Sequence, residues 1–192
     1  MLRRDLMRLY DHEIINLIKE RWSPRAISSD PVDKKDIVAV LEAARFAPSC
    51  FNEQPWRFIV ANDEKSLKKM RNLLATSNQV WANSAPVLIL VLAFNKFAYN
   101  GKDNFWAKFD TGTSWGFMSL EAVNRGLVTH AMGGFNRKEA AAVYSLDENT
   151  EPIAIVALGK YGNAQDLPEE LREREYPSER NSQEKFVVWD TE

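Results

Sequence analysis

Cysteine is almost missing from these 192 residues: Cys50 stands alone. An intrachain disulfide is therefore excluded, and so is a cluster of thiolate ligands for a metal. Histidine is nearly as scarce, with only His12 and His130. A His-rich zinc or iron site would have to draw most of its ligands from carboxylates, so no metal is expected. A basic excess is lacking too. Lys and Arg total 25 against 27 Asp and Glu, a net charge of −2, which does not suit a nucleic-acid backbone. No apolar run approaches the ~20 residues of a membrane-spanning helix, and the charged N-terminus has no apolar signal segment. These absences predict a soluble, cytoplasmic protein with neither membrane nor nucleic acid as partner. Internal repeats and low-complexity stretches are absent as well. With 45% hydrophobic residues, the chain is ordinary for one domain with a substantial core.

What is present reads as a mixed, helix-dominated domain. Asp11 is placed to cap a first helix whose apolar stripe is Ile14, Ile15, Leu17 and Ile18, ending before Pro24. A second helix is predicted from Asp33, with Ile37, Val40, Leu41 and Ala44 at helical spacing, stopping near Pro48. Residues 58–61 read as a short strand, and Asn62 or Asp63 as the cap of a third helix that buries Leu67, Met70, Leu73 and Leu74. Residues 87–94 are continuously apolar, the mark of a central strand covered on both faces. Residues 109–125 carry Trp115, Phe117, Met118 and Leu120 with few charges and predict a largely buried helix ended by Gly126. A strand over 127–132, a surface helix over 137–144 and a second fully covered strand over 153–158 follow. Beyond Lys160 comes a charged arm interrupted by Pro168 and Pro177, and then the apolar run Phe186-Val187-Val188-Trp189.

Several segments offer chemistry. Arg21-Trp22-Ser23-Pro24-Arg25 holds two guanidinium groups and a hydroxyl within five residues. That suits a phosphate, because each guanidinium can donate paired hydrogen bonds to its oxygens; taken alone, it reads first as a solvated surface pair. Ser49-Cys50-Phe51-Asn52-Glu53-Gln54 reads as a capping and turn segment. Gly133-Gly134, after a strand, is either a turn needing positive φ or a place where missing side chains let backbone N–H groups approach a flat ring. Trp56 and Phe58 read as core or interface aromatics, Cys50 as a small buried apolar residue, His130 as a satisfied strand histidine and His12 as an exposed one. A Ser-His-Asp arrangement can be drawn but has no strand-turn-helix elbow beside it, so hydrolysis is disfavoured.

Taken in chain order, four features resemble the signature of the FMN-dependent nitroreductase family. They are the arginine loop, the run from Ala47 through Trp56-Arg57-Phe58, the glycine pair, and Pro177-Ser178-Glu179-Arg180 near the C-terminus. The resemblance implies an α+β fold: an α/β/α sandwich with a mainly antiparallel central sheet, one FMN-binding domain over 1–192. It also implies an intertwined homodimer with two FMN sites at its interface, the arm from about 160 to 192 reaching the partner and exchanging a strand. The apolar run at 186–189 is itself suited to adding a strand to another subunit's sheet. The implied activity is that of an FMN-dependent NAD(P)H oxidoreductase. Hydride passes from NADH or NADPH to N5 of the flavin, and then electrons pass to an electron-poor small molecule such as a nitroaromatic, quinone or enone. The scheme is ping-pong and needs no protein acid or base.

By the same resemblance, Arg21 and Ser23, with Trp22 between them, hold the FMN phosphate and ribityl chain, and Arg180 completes the phosphate site. Arg25 reaches the N1 and O2 edge of the ring. Pro48, Ser49, Asn52 and Gln54 approach the ring, partly from the opposite subunit, with Asn52 and Gln54 offering both donors and acceptors. Met132, Gly133 and Gly134 cover N5 and O4. The alternatives are a more specialised reductase, dehalogenase-like or pteridine-directed, and a protein that stores or senses FMN without turnover. No Rossmann fingerprint chooses between NADH and NADPH. Three departures stand out: Pro24 stiffens the phosphate loop, Cys50-Phe51 narrows access to the ring, and Ser178 leaves the phosphate site one charge short.

Overall fold

A computed structural model describes residues 8–190. Along them lie helices α1 (Asn16–Glu20), α2 (Lys34–Arg45), α3 (Glu64–Arg71), α4 (Thr76–Ala82), α5 (Ala107–Asn124), α6 (Arg137–Val143) and α7 (Glu169–Arg172). The strands are β1 (Trp56–Ala61), β2 (Val87–Phe94), β3 (Val128–Met132) and β4 (Thr150–Gly159). They form one sheet in the order β1-β2-β4-β3, every neighbouring pair antiparallel.

The continuous apolar run of β2 puts it at the centre of the sheet, as expected. Val87, Ile89 and Val91 pack with Ile37, Val40 and Ala44 of α2 and Met118 and Ala122 of α5. Leu88, Leu90 and Leu92, on the other face, pack with Leu67, Met70, Trp81 and Phe135. Strand alternation thus feeds two cores from one strand, and the result is the expected α/β/α sandwich. Each such side chain, fully buried, contributes about 1.5–3 kcal/mol relative to exposure.

Local signals set most boundaries. Asp63 caps α3 in a capping box, its Oδ1 accepting from Ser66 N–H at 3.0 Å while Ser66 Oγ accepts from Asp63 N–H at 3.2 Å. Gly126, at φ +68°, ends α5, with Leu127 N–H donating to Ala122 O at 2.8 Å and Gly126 N–H to Val123 O at 2.9 Å. That pair of bonds is a Schellman termination, which needs a left-handed residue at that position. Trp56 lies in the core, as expected.

Other expectations are corrected. Asp11 caps nothing: α1 begins after Ile15, has no side-chain cap and buries no residue fully, and Ile15 and Ile18 are exposed. The third predicted helix is two. Leu73 and Leu74 are buried beyond the end of α3, and α4 was not foreseen because its sequence, Thr-Ser-Asn-Gln-Val-Trp-Ala, lacks an apolar stripe. β1 starts at Trp56 and β4 at Thr150, both earlier than predicted. β4 accommodates Pro152 opposite Leu92, where the register shifts between Val91 and Leu92, because a bulge tolerates a residue without an N–H donor.

The predicted burial of α5 holds for Met118 and fails for Phe117. Its covered side consists of Ala107, Asp110, Thr111, Ser114, Met118, Ser119 and Ala122, while Phe109 and Phe117 are exposed. In the tail, 183–185 form a 3₁₀ turn, and Phe186, Val188 and Trp189 are exposed and not in a strand within the single chain; the strand expected of them belongs to a partner's sheet, which a single chain does not contain.

Candidate functional site

The arginine loop leaves α1 at Arg21 and runs back along the exit of β4. Ile27 bridges Tyr161, Ser28 N–H donates to Lys160 O at 2.9 Å, and Gly162 N–H donates to Ala26 O at 2.7 Å. A Cβ on Gly162 would stand 2.8 Å from Ser28 N, so glycine is required where the two segments touch. Three further contacts hold the loop. Glu175, in the arm beyond β4, accepts from Arg25 N–H at 2.9 and 3.1 Å and from Ala26 N–H at 2.8 Å. The Trp22 ring packs against Tyr161 at 5.7 Å. His130 of β3 meets Pro24 O through Nδ1 at 3.0 Å, its ring 4.5 Å from that of Trp81.

Burial pushes the Glu175 carboxyl up from its ordinary value, opposed by the two backbone donors and Arg25. Burial pulls His130 down, opposed by its bond to Pro24 and reinforced by Arg25 and Arg21. A lowered His130 is neutral near pH 7, so its Nδ1 carries the proton and donates to the Pro24 carbonyl. His130 is the satisfied strand histidine that was expected.

The loop presents a cluster of guanidinium groups. Arg21, half-buried, donates from Nη1 to Ser23 Oγ at 3.3 Å. Arg180 is brought alongside from the other end of the chain, held by two bonds of 3.1 Å to the Ser178 and Glu179 carbonyls. Arg8, not anticipated from the sequence, joins them, donating from Nη1 to Arg21 O at 2.9 Å and from Nε to Ser178 O at 3.0 Å. Burial lowers the Arg21 pKa first, then Arg8 and Arg180; burial and then Arg180 lower that of Arg8. Among the described residues no ion pair holds Arg8, Arg21, Arg25 or Arg180. Arg8, Arg21 and Arg180, gathered with no paired carboxylate among the described residues, form a ready site for a doubly charged anion, while Glu175 lies on the Arg25 side of the loop.

The second segment is built otherwise. Phe51, Asn52 and Gln54 all have positive φ, 52°, 56° and 50°, within a tight turn. Ser49 Oγ accepts from Gln54 N–H at 3.0 Å, and Gln54 Nε2 donates to Asn52 O at 2.9 Å. The turn is anchored from below by Asp110 of α5, a buried carboxylate that accepts from Cys50 N–H at 3.0 Å. Glu53 accepts from Ala98 N–H, and the exposed Phe51 ring meets Phe97 and Tyr99 edge-on, each at 6.1 Å. Pro48 and Asn52 are exposed, and Cys50 is half-buried. Three left-handed residues other than glycine in four positions are costly and characteristic of binding sites.

Met132 is buried at the end of β3, and Gly133 and Gly134 follow it exposed, neither with positive φ. The turn explanation for this glycine pair therefore fails. A Cβ on Gly133 would meet no heavy atom within 4 Å, whereas one on Gly134 would stand 2.9 Å from Asn78 Nδ2, which donates to Gly134 O.

Within one chain the structure brings Arg21, Trp22, Ser23, Arg25 and Arg180 together, with β3 beside them. It does not bring Pro48, Ser49, Asn52 or Gln54 to them: among the described residues no hydrogen bond, ion pair or ring contact joins 48–54 to the arginine loop. A Gly-Thr-Ser-Trp-Gly string at 112–116 matches the letters of a nucleophile elbow. It lies in the middle of α5, and Ser114, fully buried, donates to Thr111 O at 2.8 Å. It is no nucleophile.

Residues 18–80 and 74–160 match the sequence model of the Nitroreductase family. The chain belongs to the nitroreductase family. It superposes on a crystal structure described as an oxidoreductase containing FMN with a TM-score of 0.92 and 31% identity, covering 96% of this chain and 95% of that one. It is 30% identical over 166 residues to the FMN reductase [NAD(P)H] of Bacillus subtilis, covering 86% of this chain and 61% of that protein. It is also 29% identical over 150 residues to iodotyrosine deiodinase 1 of Rattus norvegicus, covering 64% of this chain and 53% of that protein. The chain thus spans little more than half the length of these two curated relatives. The expected family, the oxidoreductase class, and FMN with NAD(P)H agree with what the family and these names indicate. No described helix is long and apolar enough to cross a membrane, and no described group of His, Cys, Asp and Glu is arranged to hold a metal.

Proposed function

We propose that this nitroreductase-family chain is an FMN-dependent oxidoreductase that takes hydride from NADH or NADPH and delivers the electrons to an electron-poor small molecule. The observation that carries the reading is the convergence of Arg8, Arg21 and Arg180, with no carboxylate partner among the described residues. That donor set fits a phosphate, and β3, which leads to the exposed Gly133, is tied to the same loop through His130 and Pro24.

When bound, FMN supplies the two-electron chemistry, accepting from NAD(P)H and passing on to a nitroaromatic, quinone or enone in ping-pong order. Arg21, Ser23 and Arg180 bind its phosphate, and Trp22 packs the loop onto Tyr161. Arg25, whose main chain is fixed by Glu175, sets a positive charge at the ring's N1 and O2 edge, where it favours added negative charge. Met132, Gly133 and Gly134 leave the N5 and O4 side approachable. Pro48, Ser49, Asn52 and Gln54 approach the ring across a subunit interface, which accounts for their separation from the arginine loop within one chain.

The active form is a homodimer of single domains covering 1–192, and three features support it. The outward face of α5 forms with α1 an apolar cavity of about 440 Å³ lined by Ile18, Trp115, Phe117 and Leu120, with Arg21 among its walls. The outer edge of β1 is unpaired among the described strands. The arm from about 160 to 192 ends in exposed Phe186, Val188 and Trp189, suited to that edge on a partner. A cytoplasmic location, where NAD(P)H is supplied, goes with this reading.

Anaerobic titration tests it: yellow purified protein should be bleached by NADH or NADPH and recoloured by an acceptor. A yellow protein inert to both nucleotides would make it a flavin store, and a colourless one that takes up no added FMN would overturn the flavin reading altogether. The likeness to the rat deiodinase favours one second reading, reductive dehalogenation. A halogenated phenol as the recolouring acceptor separates the two.

A further inference from the structure

Ser178 stands two positions before Arg180, where a basic side chain would add a charge to the anion site. The structure brings a guanidinium to that place from the other end of the chain. Arg8 Nε–H donates to the carbonyl of Ser178 itself at 3.0 Å, and Nη1–H to the carbonyl of Arg21 at 2.9 Å. Neither bond uses its Nη2. Both acceptors are neutral carbonyls, the Tyr10 side chain is a further polar neighbour that supports the charged form, and among the described residues no carboxylate forms an ion pair with Arg8.

We propose that Arg8 is a phosphate-binding residue of the cofactor site, supplying from the N-terminal segment the positive charge that Ser178 does not. The inference rests on reading the arginine cluster as the FMN phosphate site. The two carbonyl bonds tie Arg8 to both segments that carry the other guanidinium groups, so one side chain adds charge and also sets the spacing of Arg21 and Arg180. Burial and, after it, the neighbouring guanidinium groups disfavour the charged forms of Arg8 and Arg21, and a bound phosphate dianion offsets that repulsion.

The experiment compares FMN with riboflavin, which has the same ring and ribityl chain but no phosphate. Flavin fluorescence titrations would be run on the full chain and on Arg8→Gln, Arg8→Lys and the double variant Arg8→Gln with Ser178→Lys. Arg8→Gln should weaken FMN binding about tenfold or more, the scale of one lost charge-assisted contact, and leave riboflavin binding within about twofold. Raising the salt concentration should weaken FMN binding less steeply in Arg8→Gln than in the parent. Arg8→Lys should retain part of the affinity, and Ser178→Lys should restore most of it to the Arg8→Gln chain. Equal loss for FMN and riboflavin would overturn the proposal, leaving Arg8 as a fastener of the two segments only, and so would unchanged FMN binding in Arg8→Gln. If the parent chain binds neither flavin, the FMN reading falls and this inference with it.

Discussion

The loop at 21–28 is held on several sides, by Glu175, His130, Tyr161 and the backbone beyond β4, whereas the loop at 48–54 is held by Asp110 and by the Ala98 amide, which donates to Glu53, and has three left-handed residues at its tip. The first gathers charges that repel one another, and only a tightly fastened backbone keeps them in place before an anion arrives. The second carries no such burden. Its polar groups are largely turned on themselves, Gln54 to Asn52 and Ser49 to Gln54, and its Phe51 is exposed, touching Phe97 and Tyr99 edge-on. One half of the candidate site is thus gathered within a single chain, and in the proposed dimer the other half is completed by the second subunit.

Removing the tail should test that difference most severely. Deletion from Phe186 onward should weaken the dimer and flavin retention together, because each large side chain of the exchanged segment contributes at most about 1.5–3 kcal/mol when buried. Sedimentation of the truncated protein beside its flavin absorbance gives both readings. An intact, fully flavinated dimer would mean that the tail folds back on its own subunit and does not hold the interface together.

Arg21→Ala and Arg180→Ala come next, each expected to cost about 1.5–3 kcal/mol of FMN affinity, read by equilibrium titration, with little change in urea stability. Asp110→Ala should do the reverse. It leaves Cys50 N–H without its acceptor beneath the 48–54 turn, a loss of about 1–3 kcal/mol in unfolding free energy, visible in the urea midpoint. If it instead left stability unchanged, the 48–54 turn would not depend on its anchor. Arg25→Ala should keep some FMN bound but lower the flavin potential and slow reduction, followed by rapid mixing with NADH. Unchanged reduction kinetics would remove Arg25 from the ring edge.

The smallest expected effect is one of pH. His130 has a folded-state pKa below its ordinary value of about 6.5, so the unfolded chain binds its proton first on acidification. Its stabilising contribution is complete above about pH 6.5 and is lost as pH falls from there through the folded value, at no more than about 1.4 kcal/mol per pH unit. Glu175, with a raised pKa, acts in the opposite sense, gaining stability as pH falls through its folded value toward the ordinary carboxyl range. The difference between parent and His130→Asn in urea midpoints across pH 5–7.5 isolates the histidine part. A pH-independent difference would show that burial does not disfavour its charged form.

Much of the fold could be read from neighbours in the chain. Residues 87–94 announced a doubly covered strand because every side chain is apolar, and Gly126 announced the end of α5 because few other residues adopt its left-handed backbone. Asp63 capped the helix it was expected to cap, since a cap bonds within three residues. Arg21, Ser23, Arg25 and Arg180 could be singled out by residue type and order. Tertiary structure decided the rest, wherever the answer depended on which distant surface covers a segment. α5 could not reveal that its small and polar side faces the sheet while Phe109 and Phe117 face outward, because periodicity gives faces and not their neighbours. Asp110 under the 48–54 turn, Glu175 on the Arg25 amide and Arg8 between Arg21 and Ser178 join residues far apart in the chain. No local pattern encodes such pairs; they exist only once the sheet has set the positions of the segments that carry them.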